Sequence, residues 1–184
     1  MDIKTYVLNQ KESLRQKIKN AAQKPRLIII QVNDDFASGK YIAGKLKDAA
    51  EVGIDARLIK LDVNTMESEV LALITALNNH KDVHGIIVQL PLPKHISEKA
   101  IKHAISPDKD VDGFHPLSKF KACTPLGIVN YLKAEMHEIR SKNVVILGRS
   151  NIVGKPAALL FLAEDANVTI LHSKTLKADR EYYL

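Results

Sequence analysis

Short β-branched runs alternate along the chain with stretches whose apolar residues recur at helical spacing. Leu8, Leu14 and Ile18 share one face of a first helix that ends near Pro25. Residues 26–32, RLIIIQV, read as a buried strand. Ile42, Leu46 and Ala49 then mark a helix over 38–53, with Gly53 as its C-terminal stop. Residues 55–61 form a second strand. Residues 67–80 form a second amphipathic helix with Val70, Leu73, Ile74 and Leu77 inward. Residues 84–90, HGIIVQL, are nearly all apolar, as a central strand of a parallel sheet should be. A short helix over 97–105 has Ser97 as N-cap. Residues 106–125 are rich in Asp, Pro and Lys, show no sustained period, and read as an ordered loop. A helix over 126–138, a strand over 143–147, a helix over 157–163 and a strand over 167–171 complete the series.

Strand–helix–strand alternation predicts α/β architecture with parallel sheets and right-handed crossovers. The series divides into two α/β units. The first is complete near His115 and the second sheet begins near Lys142, so the domains expected are 1–120 and 121–184. Ligand sites in such sheets lie beyond the carboxyl ends of the strands, which makes the cleft between the units the expected site.

Composition narrows the function classes. With 46% hydrophobic and 26% charged residues the chain can form a core, and disorder throughout is excluded. One cysteine excludes an internal disulfide framework and a Cys-rich zinc site. No apolar run approaches the ~20 residues of a membrane span, and the opening stretch is charged throughout, unlike a signal peptide. A soluble, cytoplasmic protein is expected. Aromatic residues make up 5% and Trp is absent, which argues against a base-stacking nucleic-acid surface. The formal charge of +6 comes from Lys and Arg spread along the whole chain. It suits ordinary solvated surface, and equally a polyanionic small ligand.

Several residues could carry chemistry. Tyr41 and Lys45 stand four apart on a helix, which puts phenol and ammonium on one face within reach of one substrate, a pair suited to shuttling a proton. An isolated Tyr-x-x-x-Lys also arises on a solvated amphipathic face. Gln89 closes an apolar strand before Leu90-Pro91-Leu92-Pro93, where a neutral amide can orient a substrate or a lysine, or simply bond a loop backbone. Asp108, Asp110 and Asp112 alternate around Gly113, but the distal Glu of a calcium loop is missing, so no metal is expected. A carboxylate at Asp112 could pair with a ring N–H and an exocyclic amine, as in a pterin or purine, or serve as an Asx-turn. Gly148-Arg149-Ser150-Asn151-Ile152-Val153-Gly154 follows a strand and opens a helix, the setting of a dinucleotide turn although not its G-x-G-x-x-G spacing. A glycine turn packing helix on sheet reads the same way. After the last strand stands His172-Ser173-Lys174-Thr175. An acidic residue there would hold the ribose hydroxyls of NAD, whereas a basic, hydroxylated group suits the 2′-phosphate of NADP. Cys123 has no evident base beside it and is expected to be a buried structural thiol. His80 and His84 straddle a helix end and a strand start, so a shared metal is not expected.

The succession SGKYIAGKLKDAAEVGI, GIIVQLPLP, PDKDVDGFHP, CTPLGIVNYL, VVILGRSNIVGKPAALL and HSKT resembles the bifunctional methylenetetrahydrofolate dehydrogenase/cyclohydrolases, the FolD family, from about Arg26 to Thr175. The resemblance implies a folate-binding catalytic domain followed by a Rossmann-type NADP-binding domain. It implies oxidation of 5,10-methylenetetrahydrofolate with NADP, hydrolysis of the methenyl product to 10-formyltetrahydrofolate, and a homodimer. Carried over by residue, it makes Lys45 the catalytic lysine, Tyr41 the phenol packed by folate, Gln89 the lysine's partner and Asp112 the pterin-binding carboxylate. It places Gly148, Arg149, Ser150, Ile152 and Gly154 at the NADP turn, with Ser173 near the 2′-phosphate.

The chain departs from the family pattern at several places. Asn33 and Phe36 stand in VNDDFAS where the family usually has Gly and Pro, so a changed loop shape with retained chemistry is expected. Ala122 replaces a usual proline, the chain starts slightly late, and the closing KADREYYL does not follow the pattern. About a third of the family's usual chain is missing after Leu184, which predicts an incomplete second sheet. The rival expectation is therefore a truncated, non-catalytic or cyclohydrolase-only folate-binding remnant. A short-chain dehydrogenase also uses Tyr-x-x-x-Lys, but there the glycine turn precedes the pair, and here it follows.

Overall fold

The computed structural model describes residues 1–183 and separates into two compact units, Asp2–Phe120 and a second from Lys121 onward. Its elements in order are α1 (Ile3–Lys19), β1 (Arg26–Gln31), α2 (Phe36–Val52), β2 (Asp55–Lys60), α3 (Glu67–Asn79), β3 (Gly85–Val88) and α4 (Glu98–Ala104) in the first unit. In the second they are α5 (Cys123–Ala134), β4 (Asn143–Leu147), α6 (Gly154–Ala163), β5 (Asn167–Leu171) and α7 (Lys177–Tyr183). No helix among the described residues is long and apolar enough to cross a membrane.

In the first unit the sheet order is β2-β1-β3, all parallel. The middle strand explains the layering, because side chains alternate between the faces of a sheet. Ile28 and Ile30 of β1 join Val70, Ile74 and Leu77 of α3 and Ile101 of α4 in one core. Ile29 points the other way and packs with Ile42 of α2 and Ile87 of β3. Ile29 and Ile30 are completely buried, each worth about 1.5–3 kcal/mol of burial. α2 begins at an Asp35 N-cap and ends at Gly53, whose φ of 91° is the left-handed stop expected there. Residues 106–120 are tied down by Asp110, which bridges in parallel to Ile86 of β3. Its buried carboxylate accepts from the His115 N–H at 2.7 Å.

In the second unit β4 and β5 pair in parallel, from Asn143 opposite Asn167 to Leu147 opposite Leu171. Val129 of α5 and Phe161 of α6 pack with Val144, Ile146 and Val168 of the strands.

Four expectations need correction. α5 begins three residues before 126 and ends four before 138. Pro125 is accepted in its first turn, where its missing N–H has no helical acceptor in any case. Met136, at φ 58°, lies beyond the helix end. Cys123 is exposed at the start of α5 and is not a buried thiol. α1 ends at Lys19, and its apolar positions Leu8 and Leu14 are exposed. α7 lies beyond the last element that the sequence pattern predicts.

Candidate functional site

The carboxyl ends of β1 and β3 hold the candidate residues of the first unit. Gln89 follows β3 directly, and its N–H extends the ladder to Ile30 O at 2.8 Å. Its side chain is held at both ends: Oε1 accepts from Lys45 Nζ at 3.1 Å, and Nε2 donates to Leu90 O at 2.8 Å. Lys45 comes from α2, which starts immediately beyond β1. The Asp35 carboxylate caps that helix, accepting from the Ser38 N–H at 2.7 Å and the Ser38 hydroxyl at 2.9 Å, and these bonds hold its carboxyl below the usual range. Tyr41 lies one turn before Lys45 and is 69% exposed, an aromatic face open to a ligand.

Asp112 is half-buried. Burial pushes its carboxyl above the usual range, Asp110 adds in the same direction, and the positive charges of Lys45 and Lys102 oppose them. A carboxyl with two cations nearby and a raised pKa can hold or release a proton at a bound ring nitrogen. Lys45, Gln89 and Asp112 thus belong to one electrostatic group.

Sequence reasoning missed two of its supports. Lys102, on α4, sits over the Phe114 ring at 4.7 Å and bonds Glu98. An i,i+4 Glu–Lys spacing is the ordinary pattern of a solvated helix face, so the sequence carries no signal for this position. In the sequence Asp110 is only one of three alternating aspartates, yet it is buried and fastens the loop that carries Asp112. The cavity of about 510 Å³ lined by Gln23, Arg26, Asp55, Arg57 and Asp82 lies at the opposite, amino end of the strands. Arg26 and Arg57 both pair with Asp55 there.

In the second unit the glycine turn is built by two different requirements. Gly148 adopts φ 115°, where a side chain is strained. Gly154 has ordinary room in torsion but none in space, since a Cβ there would lie 2.4 Å from Gly148 O. The backbone of 148–154 therefore folds tightly onto the start of α6. Ser150 Oγ accepts from the N–H groups of Val153 at 3.1 Å and Gly154 at 3.2 Å, so it satisfies two donors at the entry to α6. Arg149 is exposed and Ile152 is 37% exposed. Beyond β5, His172 Nδ1 accepts from the Lys174 N–H and Thr175 Oγ1 accepts from the His172 N–H, which leaves Ser173 and Lys174 exposed on an ordered turn.

A catalytic α/β unit followed by a nucleotide-type turn is also what comparison with known proteins finds. Residues 1–112 match the family model described as tetrahydrofolate dehydrogenase/cyclohydrolase, catalytic domain. Residues 122–182 match that family's NAD(P)-binding domain. The second match takes in most of the closing KADREYYL, correcting the expectation that this segment lies outside the pattern. The bifunctional protein FolD of Exiguobacterium sibiricum is 48% identical over 93% of this chain and 65% of its own length. That of Bacillus subtilis is 44% identical over 92% of this chain and 66% of its own. Among solved structures, FolD of Campylobacter jejuni superposes with a TM-score of 0.89 at 40% identity, covering 93% of this chain and 65% of that one. The Trypanosoma brucei enzyme, complexed with NADP and an inhibitor, does so with a TM-score of 0.90 at 30% identity, covering 98% and 66%. The chain belongs to the tetrahydrofolate dehydrogenase/cyclohydrolase family. It spans about two thirds of the length of the curated relatives it matches.

Proposed function

We propose that this chain works in one-carbon folate metabolism, on tetrahydrofolate derivatives in the cytoplasm and as a homodimer. It oxidises 5,10-methylenetetrahydrofolate with NADP and hydrolyses the resulting methenyl compound to 10-formyltetrahydrofolate. The observation that carries the reading is the Lys45–Gln89 bond at 3.1 Å, with Asp112 in the same electrostatic group.

In the hydrolysis, water adds to the carbon joining the two folate nitrogens, and Lys45 as the amine takes the water's proton. As the carbon–N5 bond breaks, its electron pair stays on N5, which takes a proton from the Lys45 ammonium. The hydroxyl proton leaves as the formyl C=O forms, so one proton is released overall. Gln89 holds Nζ in place through both transfers. Asp112 binds the pterin ring edge, and Tyr41 covers the ring face.

The second unit fits NADP. The backbone of the 148–154 turn is too close for side chains at Gly154, α6 opens behind it, and no acidic side chain stands among residues 172–175. Gly148, Arg149, Ser150, Ile152 and Gly154 would hold the pyrophosphate region, with Ser173 and Lys174 at the 2′-phosphate. NADP when bound supplies the acceptor for the substrate's hydride.

Hydrolysis uses only groups within Asp2–Phe120, which supports a second reading in which folate binding and methenyl hydrolysis proceed with little oxidation. Lys45→Met tests the assignment. It should abolish methenyl hydrolysis in a protein with an unchanged circular dichroism spectrum, and hydrolysis at the wild-type rate would refute the role of Lys45.

A further inference from the structure

Asn33 lies outside the residues assigned above, in the segment between β1 and α2. It is 8% exposed, and its amide is occupied at both ends. Nδ2 donates to Pro91 O at 2.6 Å. Oδ1 accepts from Gln31 Nε2 at 3.2 Å and from the Asp35 N–H at 3.1 Å. Gln31 is itself buried at the end of β1. One side chain therefore joins three segments: the Gln31 side chain at the end of the central strand, the backbone of the N-cap of the helix that carries Lys45, and the backbone of the loop that follows Gln89.

The loop end of this link matters for the chemistry. Gln89 Nε2 is oriented by Leu90 O, the carbonyl immediately before Pro91. The Ser38 hydroxyl, in the first turn of α2, reaches the same Leu90 O at 3.4 Å. Holding Pro91 O fixes the next peptide along, and through the Pro91 ring it restrains the Leu90–Pro91 peptide whose carbonyl aims the Gln89 amide. That aim presents Oε1, and not the NH₂, to Lys45 Nζ. Released from Pro91, the loop could let the Gln89 amide turn, and a terminal amide rotates broadly about its last torsion. An NH₂ facing an ammonium would repel it.

We infer that Asn33 is a positioning residue of this chain, acting through Pro91 and Gln89 to fix Lys45 Nζ for catalysis. The inference rests on the proposed role of Lys45, and a substrate-free measurement separates the two. Competitive acetylation of the native 184-residue chain with trace acetic anhydride, read by peptide mass, reports Lys45 reactivity against exposed Lys47 on the same helix. Asn33→Ala should raise Lys45 labelling about threefold relative to Lys47. In methenyl hydrolysis it should lower kcat about tenfold with KM within about twofold, because the lost contact orients a catalytic group and not the substrate.

Asn33→Asp keeps the acceptor for Gln31 and Asp35 but cannot donate to Pro91, so it should behave like Asn33→Ala. It also serves if the alanine variant does not fold. Wild-type labelling and kcat in a folded variant would overturn the inference, as would a raised KM at unchanged kcat, or Asn33→Asp behaving as wild type. If Lys45→Met hydrolyses substrate normally, the functional reading falls, and the labelling result still decides whether Asn33 positions Lys45.

Discussion

The substitution Gly154→Ala isolates the tightest backbone approach in the nucleotide turn. The added methyl carbon would sit 2.4 Å from Gly148 O, 2.8 Å from Gly148 C and 3.0 Å from Arg149 Cα. Comfortable separation of non-bonded carbons is about 3.5 Å or more, so relief needs a shift of roughly 1 Å. All three neighbours are backbone, and none can swing away as a side chain does. Overpacking of this kind costs typically about 1–3 kcal/mol, and rigid neighbours put Gly154→Ala near 3 kcal/mol. The cost should fall on the 148–154 turn and the first turn of α6. Gly148→Ala probes the same turn by a different cause: nothing lies within 4 Å of its Cβ, but φ is 115°. That strain is worth about 1–3 kcal/mol. Because both changes deform one turn, the double variant should cost less than the sum, by at least about 0.5 kcal/mol. Urea denaturation followed by circular dichroism gives the three differences, and hydrogen exchange locates them. NADP titration should show weakened binding for Gly154→Ala. Unchanged denaturation midpoint and unchanged NADP affinity for that variant would refute the reasoning.

The remaining predictions follow from single groups. Preference for NADP over NAD should fall when Lys174 is replaced by Asp, which restores the acidic residue that holds ribose hydroxyls, and paired titrations of the two cofactors check it. Asp112→Asn should stabilise the protein progressively as pH rises. The folded-state pKa of Asp112 is raised above 3.8 by burial, so its contribution to stability declines as pH climbs from the unfolded value through the folded one. Urea midpoints at about pH 3.5 and about pH 7 should show the variant's advantage only at the higher pH, and an equal difference at both would count against a half-buried, proton-favouring Asp112.

What the sequence revealed of the fold depended on whether an element's evidence was local. β4 and β5 were found to the residue because each is a β-branched run bounded by polar positions. The layers around β1 were legible because Ile28, Ile29 and Ile30 are all apolar, the mark of a strand buried on both faces. The start of α5 is not legible because Pro125 looks like the end of a loop, although a proline in a first turn breaks no helical bond. Leu8 and Leu14 marked a helix correctly, but periodicity identifies a face without saying what covers it. Residue type alone favours a buried Cys123, but its exposure depends on the neighbours that α5 acquires in three dimensions.

The candidate site divides along the same line. Tyr41 and Lys45 could be paired from helical spacing, and Gly148 to Gly154 from a strand–turn–helix setting. The Lys45–Gln89 bond spans 44 residues and exists because α2 leaves the carboxyl end of β1 beside the carboxyl end of β3. No local rule contains that fact, although parallel topology predicts where the ends converge. Asn33 is the sharper case. As a letter in VNDDFAS it registers only as a glycine lost. In the structure its side chain fills donor and acceptor roles that glycine could not, toward Gln31, Asp35 and Pro91. Two of those partners lie within two residues of it, and the third is 58 residues away. The local pair alone would be an ordinary turn; the distant bond is what connects that turn to Gln89. A departure from a family pattern therefore gains physical meaning only when the partners of the new side chain are known.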